Sequence, residues 1–190
     1  GLYGYCIQIY CDFSGYSDMA IGIALLLGFK IPMNFNAPLT ADSMTDFWRR
    51  WHISLSTWIR DYVYISLGGN KKGTLRMYFN QMVAMTACGL WHGASLNFIV
   101  WGVLHGALVC VHKFWSQTVL KHDRRYHPSG LRRFISVFIT FHVLCFTWLF
   151  FRCKDFDAVW VMVKQMFTKF NPSVLPDVFM GYKYVFLLMI

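Results

Sequence analysis

The sequence contains no glutamate, and all nine of its acidic residues are aspartates. Charged residues make up only 14% of the 190 positions, whereas soluble domains carry about 25%. Hydrophobic residues reach 56% and aromatic residues 19%, and the mean hydropathy is +0.40. A chain this poor in charge does not supply the surface of a soluble domain, so its composition predicts that lipid surrounds much of it.

The remaining charges are mostly basic, with 18 Lys and Arg against 9 Asp and a formal net charge of +9. A nucleic-acid-binding module combines a soluble core with a charged face, and this composition does not fit one. In a membrane protein, excess Lys and Arg mark the cytoplasmic loops. We therefore expect the lipid bilayer, and no nucleic acid, as a binding partner.

Common metal and disulfide patterns are also missing. The six cysteines form no CxxC pair and lie mostly in apolar runs, which excludes a disulfide framework and a thiolate metal site. There is no HExxH and no Glu to serve as the base of a zinc hydrolase, so we expect no metal and no bound cofactor.

No signal peptide is predicted. Because both ends cut through hydrophobic sequence, we expect a fragment of a longer polytopic protein.

The longest stretch without Asp, Glu, Lys or Arg runs from Met77 to His112. One crossing of the bilayer needs about 20 residues, so this stretch exceeds one span and falls short of two. Its small residues from Gly89 to Ser95 predict a helix break. We expect a short re-entrant piece at Tyr78–Trp91 and a full span at Leu96–Trp115.

A second uncharged run, Phe134–Phe151, predicts another crossing. The first residues, up to Phe29, are apolar but interrupted by a polar segment, and Ser17 or Asp18 is predicted to cap a helix that ends near Gly28. Small residues spaced four apart predict close helix packing; these are Gly89 with Gly93 and Gly102 with Gly106.

Between the apolar runs, Ser43-Met-Thr-Asp46 resembles a helix-capping sequence. The residues after it predict one amphipathic helix at the membrane interface, because tryptophans recur on one face and arginines share the same helix. Trp48, Arg49 and Arg50 are candidate donor-binding residues on this helix. The arginines suit a phosphate-bearing donor such as a coenzyme and equally suit lipid headgroups.

Four ionisable residues are candidates for chemistry. His92 lies at the predicted break, where backbone is tolerated only against protein or water, so its imidazole is available for proton transfer. His52 by itself reads more simply as an interfacial histidine. Asp12 and Asp18 fall within an apolar region and are either functional or helix caps, and their spacing puts them on different faces of a helix.

Several motifs together resemble the membrane-bound O-acyltransferase (MBOAT) family, in its branch of bacterial alginate O-acetyltransferases. They span roughly residues 4 to 115, and residues 116 to 190 are interpreted as further membrane segments. These motifs are Asp12-Phe-Ser-Gly-Tyr-Ser-Asp18, Met33-Asn-Phe-Asn36, Phe47-Trp-Arg-Arg-Trp-His-Ile-Ser-Leu-Ser-Thr-Trp58, Arg60-Asp-Tyr-Val-Tyr64, Leu67-Gly-Gly69 and Leu90-Trp-His-Gly-Ala-Ser95.

The resemblance implies an all-α polytopic transmembrane protein with re-entrant and interfacial helices, and places residues 1–190 within one membrane domain. It implies acyl transfer from a thioester such as acetyl-CoA toward an exported polysaccharide, often completed by a separate periplasmic acetyltransferase. The expected location is the bacterial inner membrane. His92 is implied as the catalytic residue and His52 as the second characteristic histidine, while Asn97 is a candidate to orient or stabilise the reacting groups.

Two other classes remain open at this stage. Intramembrane aspartates and broken helices also suit a polytopic transporter or channel. A haem-binding membrane protein is the weakest alternative, based only on intramembrane histidines. The sequence does not identify the acceptor polymer.

Overall fold

The computed structural model describes residues 1–121 and 128–169, together with residues 171, 173, 176 and 180. Within these residues there are helices and no strand, which confirms the predicted all-α class. The structure has α1 (Leu2–Leu26), α2 (Met44–Arg50), α3 (Ile53–Trp58), α4 (Thr74–His92), α5 (Leu96–Phe114), α6 (Gly130–Thr147), α7 (Leu149–Arg152) and α8 (Phe156–Thr168), with a 3₁₀ turn at Pro38–Thr40 and π-helical segments at Ile59–Tyr64 and Trp115–Val119.

The chain divides into two compact units. The first, Gly1–Asp155, holds α1 to α7 and is described below. The second begins at Phe156, and its α8 is amphipathic, with Val159 buried while Trp160 and Phe167 are exposed. The assignment of residues 1–190 to one membrane domain stays a prediction.

α4 and α5 form an antiparallel hairpin. The break between them falls at Gly93, whose φ is +154°, and Ser95 caps α5 by accepting a hydrogen bond from the Asn97 amide at 3.3 Å. The predicted break is therefore confirmed. The predicted short piece Tyr78–Trp91 is wrong, because α4 begins at Thr74 and has 19 residues, as many as α5. The charge of Arg76 does not end the helix, since its exposed side chain lies on the first turn.

Glycines hold the two arms of this hairpin close together. A Cβ at Gly89 would clash with the carbonyl group of Phe98, and one at Gly102 would lie 2.5 Å from the Met85 carbonyl oxygen. At the open end of the hairpin, Lys113 Nζ donates to Gln81 Oε1 at 2.9 Å. The predicted close packing is confirmed, and the uncharged stretch returns to the end from which it started.

Two helical stretches among the described residues are long and apolar enough to cross a membrane, namely Leu96–Val119 and Gly130–Arg152. They contain the two spans predicted at Leu96–Trp115 and Phe134–Phe151. The second begins earlier than predicted, because Arg132 and Arg133 lie exposed on its first turn. Their charged ends can reach water from that position.

The first helix differs from its prediction. α1 runs without interruption from Leu2 to Leu26, so neither Ser17 nor Asp18 is an N-cap. Asp18 is exposed, and its carboxylate therefore imposes no helix end. The predicted end near Gly28 is confirmed, since Gly28 adopts a φ of +82° just after the helix.

A buried aromatic cluster joins α1, α2, α5 and α6. Phe47 of α2 stacks on Trp51 with ring centroids 5.6 Å apart, and Trp51 meets Trp148 edge-on at 5.0 Å. Cys6 of α1 and Leu144 of α6 pack against the same cluster. This core fixes the segment after α2 against the membrane-spanning helices, and the candidate site lies beside it.

We predict that Gly89→Ala destabilises the protein by about 1–3 kcal/mol, because the added methyl group forces the backbones of α4 and α5 apart. Gly22→Ala is the matched control, since its Cβ meets nothing within 4 Å in the middle of α1. Unfolding of the full-length protein in mixed micelles measures both. Equal stability of the two variants would contradict the close packing.

Candidate functional site

A cavity of about 550 Å³ opens where α1, the turn after α2, the end of α4, α5 and the end of α6 meet. Its walls are largely aromatic, with a few polar groups among the rings. The lining residues are Tyr5, Gln8, Ile9, Asp12, Phe13, Trp51, His52, Trp91, His92, Trp101, Trp148 and Phe151. Apolar walls with few polar groups are typical of a small-molecule site.

His92 is the last residue of α4 and lies directly before the positive-φ Gly93. Its ring is surrounded by other rings, with centroids 4.9 Å from Trp91, 5.3 Å from Trp101 and 4.9 Å from Phe151. Among the residues that the structure describes, none forms a hydrogen bond with its side chain. The imidazole is therefore held by packing, and both nitrogens remain available to a substrate.

His52 lies at a sharp turn rather than inside a helix. Its φ of +43° and ψ of +57° are left-handed, and they separate α2 from α3. The single amphipathic helix predicted after Ser43 is therefore wrong, although Ser43 does cap α2 by accepting from the Asp46 amide at 3.2 Å. The helical spacing of the apolar residues continues through His52, so the sequence pattern does not reveal the turn between α2 and α3.

The segment Asn34–Asn36 holds this turn on both sides. The Asn36 amide donates to the Arg50 carbonyl at 3.0 Å, and the Ile53 amide donates to the Asn34 carbonyl at 3.0 Å. The Ser54 amide and hydroxyl donate to Asn34 Oδ1 at 3.2 and 2.7 Å. A left-handed backbone is uncommon for a non-glycine residue and persists only when its surroundings fix it, as these bonds do.

The turn brings the His52 ring into the cavity. Its centroid lies 4.7 Å from Phe13 and 6.0 Å from Trp91, the neighbour of His92. Burial lowers the pKa of His52 below its usual 6.5. Burial therefore favours the uncharged form of the ring.

The other three described histidines are structural. His105 Nδ1 accepts from Trp48 Nε1 at 3.2 Å, and its Nε2 lies 2.9 Å from Thr147 Oγ1. His112 pairs with Thr45 at 2.9 Å. His142 bonds the Tyr3 hydroxyl and the Phe138 carbonyl, each at 2.8 Å. Within the described chain, the two histidines without such bonds are the two that line the cavity.

Several predicted site residues lie elsewhere. Trp48 is bonded to His105, and Arg50 donates to Asp46 Oδ2 at 2.8 Å. Arg49 is exposed and does not line the cavity. The buried Asn97 uses its side-chain amide to donate to the Cys153 carbonyl at 2.9 Å. Their predicted roles in binding stay predictions, and the cavity walls do not include them.

The two aspartates are separated as their spacing predicts. Asp12 lines the cavity and Asp18 does not, although both belong to α1. The cavity thus combines one carboxylate with two imidazoles. Among the described residues, no three His, Cys or Asp side chains are grouped to hold a metal ion.

Sequence reasoning missed most of the aromatic wall. Trp101 on α5, Trp148 at the end of α6 and Phe151 on α7 come from distant parts of the chain. No motif singled them out, because an aromatic residue in an apolar run is indistinguishable from core. Their only sequence signal is the high aromatic content of 19%.

The helices, the two apolar spans and the family resemblance of the motifs define an all-α membrane protein, and His52 and His92 line one cavity in it. The sequence model of the MBOAT, membrane-bound O-acyltransferase, family matches residues 2–156. The chain belongs to this family.

The chain is similar to proteins named for three different polymers. The chain is 46% identical to a probable alginate O-acetylase of Azotobacter vinelandii over 93% of its own length. It is 43% identical to a peptidoglycan O-acetyltransferase of Helicobacter pylori over 85% of the chain. It is 34% identical to a teichoic acid D-alanyltransferase of Bacillus subtilis over 82%. The matches cover 34%, 30% and 41% of these relatives, so the chain spans about a third of their length.

We predict that Asn34→Ala lowers the free energy of unfolding by about 1–2 kcal/mol, because two hydrogen bonds to the Oδ1 atom are lost beside the His52 turn. Asn70→Ala, in an exposed turn, is the matched control. Unfolding of the full-length variants in mixed micelles measures the difference. If Asn34→Ala is as stable as the control, these bonds do not hold the turn.

Proposed function

We propose that the protein is part of a membrane O-acyltransferase that moves an acyl group, in the first place acetyl, from a cytoplasmic thioester such as acetyl-CoA toward hydroxyls of an exported cell-surface polysaccharide. The observation that carries this proposal is the pairing of His52 and His92 in one cavity without side-chain hydrogen bonds, in a chain of the MBOAT family. Relatives named for acetyl and D-alanyl transfer to polymers support acyl transfer as the reaction.

In the proposed reaction, a His92 nitrogen takes the proton of an acceptor hydroxyl as its oxygen attacks the thioester carbonyl carbon. A tetrahedral intermediate forms and carries the negative charge on the former carbonyl oxygen. The carbon–sulfur bond then breaks, and the leaving thiolate takes the proton from the His92 imidazolium. The products are an ester and a free thiol, so atoms and charge balance.

The surroundings of His92 suit this role. The rings of Trp91, Trp101 and Phe151 pack against the imidazole, and apolar surroundings strengthen electrostatic interactions at the reacting atoms. His52 across the cavity is the second polar contact and orients the acceptor or the acyl group. Asp12 adds a carboxylate on the α1 side, where it accepts hydrogen bonds from a polyol.

Localisation and partners form part of the same proposal. We place the protein in the inner membrane as a multi-pass enzyme, with a periplasmic acetyltransferase completing transfer to the polymer. Family membership favours an acyltransferase over the transporter that the sequence left open. Family membership likewise favours an acyltransferase over the haem-binding alternative.

We predict that His92→Ala abolishes polymer acylation and leaves membrane insertion intact, because none of the residues that the structure describes hydrogen-bonds to its nitrogens. Loss of a general base costs about 10²–10⁴ in rate. The matched control is His142→Ala, which removes a histidine bonded to Tyr3 outside the cavity and should retain activity. Acyl content of the isolated polymer, normalised to enzyme abundance, is the measurement. Wild-type acylation by His92→Ala would end the proposal.

We also predict that two basic loops face the cytoplasm, one with Lys71 and Lys72 and one that ends at Arg132 and Arg133, because Lys and Arg near span ends determine orientation. Cysteines introduced at Asn70 and Ser129, with reactive native cysteines removed, should resist membrane-impermeant thiol reagents in intact cells. Permeabilised cells, in which both should react, provide the control. Labelling of both sites from outside would reverse the proposed topology.

A further inference from the structure

The indole nitrogen of Trp101 is a buried donor without an acceptor. Trp101 lies on α5 and is only 3% exposed, and its Nε1 has no hydrogen-bond partner among the described residues. Buried donors are nearly always paired, so an unpaired one needs a specific explanation. Because Trp101 lines the cavity, a bound ligand that supplies an acceptor for its N–H is such an explanation.

The polar groups around Trp101 are already committed. His105 lies 4.4 Å away by ring centroids, but its two nitrogens are engaged by Trp48 and Thr147. The Trp48 ring is 5.8 Å away, and its own nitrogen donates to His105. The uncommitted polar neighbour is His92, at 5.3 Å and nearly perpendicular.

Trp101 and His92 therefore form one unit of the cavity wall, a free donor beside a free base. Phe151 contacts both, with centroids 4.9 Å from each ring. The Trp101 nitrogen is covered in the structure. An acyl group can reach it only if a neighbouring ring, such as that of Phe151, moves aside.

We infer that the Trp101 N–H donates a hydrogen bond to the acyl carbonyl oxygen and stabilises the negative charge that develops there. The inference rests on the proposed acyl transfer at His92. Once it faces the acyl group, a donor held in a fixed position acts on the charge of the intermediate more strongly than on the neutral substrate. Trp101 is thereby assigned as a catalytic residue, and its indole N–H is the group that acts on the substrate.

The test uses full-length enzyme carrying Trp101→Phe, which keeps an aromatic ring and removes the N–H. Turnover should fall about 10²-fold, in the range measured for single oxyanion donors. Trp58→Phe, the same change at a residue 51% exposed and outside the cavity, should turn over normally. The midpoint of the pH–rate profile should not move, because His92 remains the base.

Two unreactive analogues separate donation from packing. Acetonyl-CoA keeps a carbonyl oxygen, and S-propyl-CoA has a methylene in its place. Trp101→Phe should bind acetonyl-CoA about tenfold more weakly and S-propyl-CoA as tightly as wild type. Equal weakening of both analogues, a shifted pH midpoint or undiminished turnover would each overturn the inference.

The outcomes distinguish this inference from the function on which it rests. Activity in His92→Ala would refute the proposed function, whereas an inactive His92→Ala beside a fully active Trp101→Phe would refute the inference alone. If wild-type enzyme binds neither analogue, the coenzyme A donor is wrong. The polymer acylation rate of Trp101→Phe in cells, normalised to enzyme abundance, then decides the role of Trp101.

Discussion

The first unit depends on a buried chain of hydrogen bonds centred on His105. The Trp48 N–H donates to Nδ1, and the Thr147 hydroxyl donates onward to the Leu144 carbonyl at 2.9 Å, so the hydroxyl oxygen is left to accept from Nε2. His105 and Thr147 are 0% and 1% exposed. Every polar atom of this hydrogen-bonded network is paired. Loss of one member would leave the others buried without a partner, so the network favours this one arrangement of the helices. It joins α2, α5 and α6.

This hydrogen-bonded network lies beside the cavity. Trp48 holds α2 against α5, the chain turns at His52, and the neighbouring Trp51 meets Trp148 beside α6. The cavity lies between these elements and the end of α4. The Trp101 ring contacts both His105, whose nitrogens are bonded within the network, and His92, whose nitrogens have no partner among the described residues. The structural histidine and the candidate catalytic histidine are therefore separated by a single indole ring.

Sequence reasoning succeeded where a local signal fixed a local structure. Gly93 and Ser95 lie at the helix break, as predicted, whereas Gly89, predicted with them, lies inside α4. Sequence reasoning failed where the local structure depends on distant segments of the chain. The turn at His52 depends on hydrogen bonds with Asn34 and Asn36, which helical periodicity does not reveal. Composition likewise does not reveal that Trp48 and Arg50 pair with His105 and Asp46, and their role in donor binding stays a prediction.

The distribution of charge along the α4–α5 hairpin constrains how a substrate reaches His92. Lys71, Lys72 and Lys113 lie at its open end, while His92 and Gly93 lie at the closed end. A 19-residue helix at 1.5 Å per residue places these ends about 28 Å apart. At the closed end, Arg152 and Lys154 are partly offset by Asp155. If the strongly basic end is cytoplasmic, as proposed, a cytoplasmic donor must extend its acyl group along most of the hairpin, and an exported acceptor meets His92 from the opposite side. Donor and acceptor then need not share one entrance.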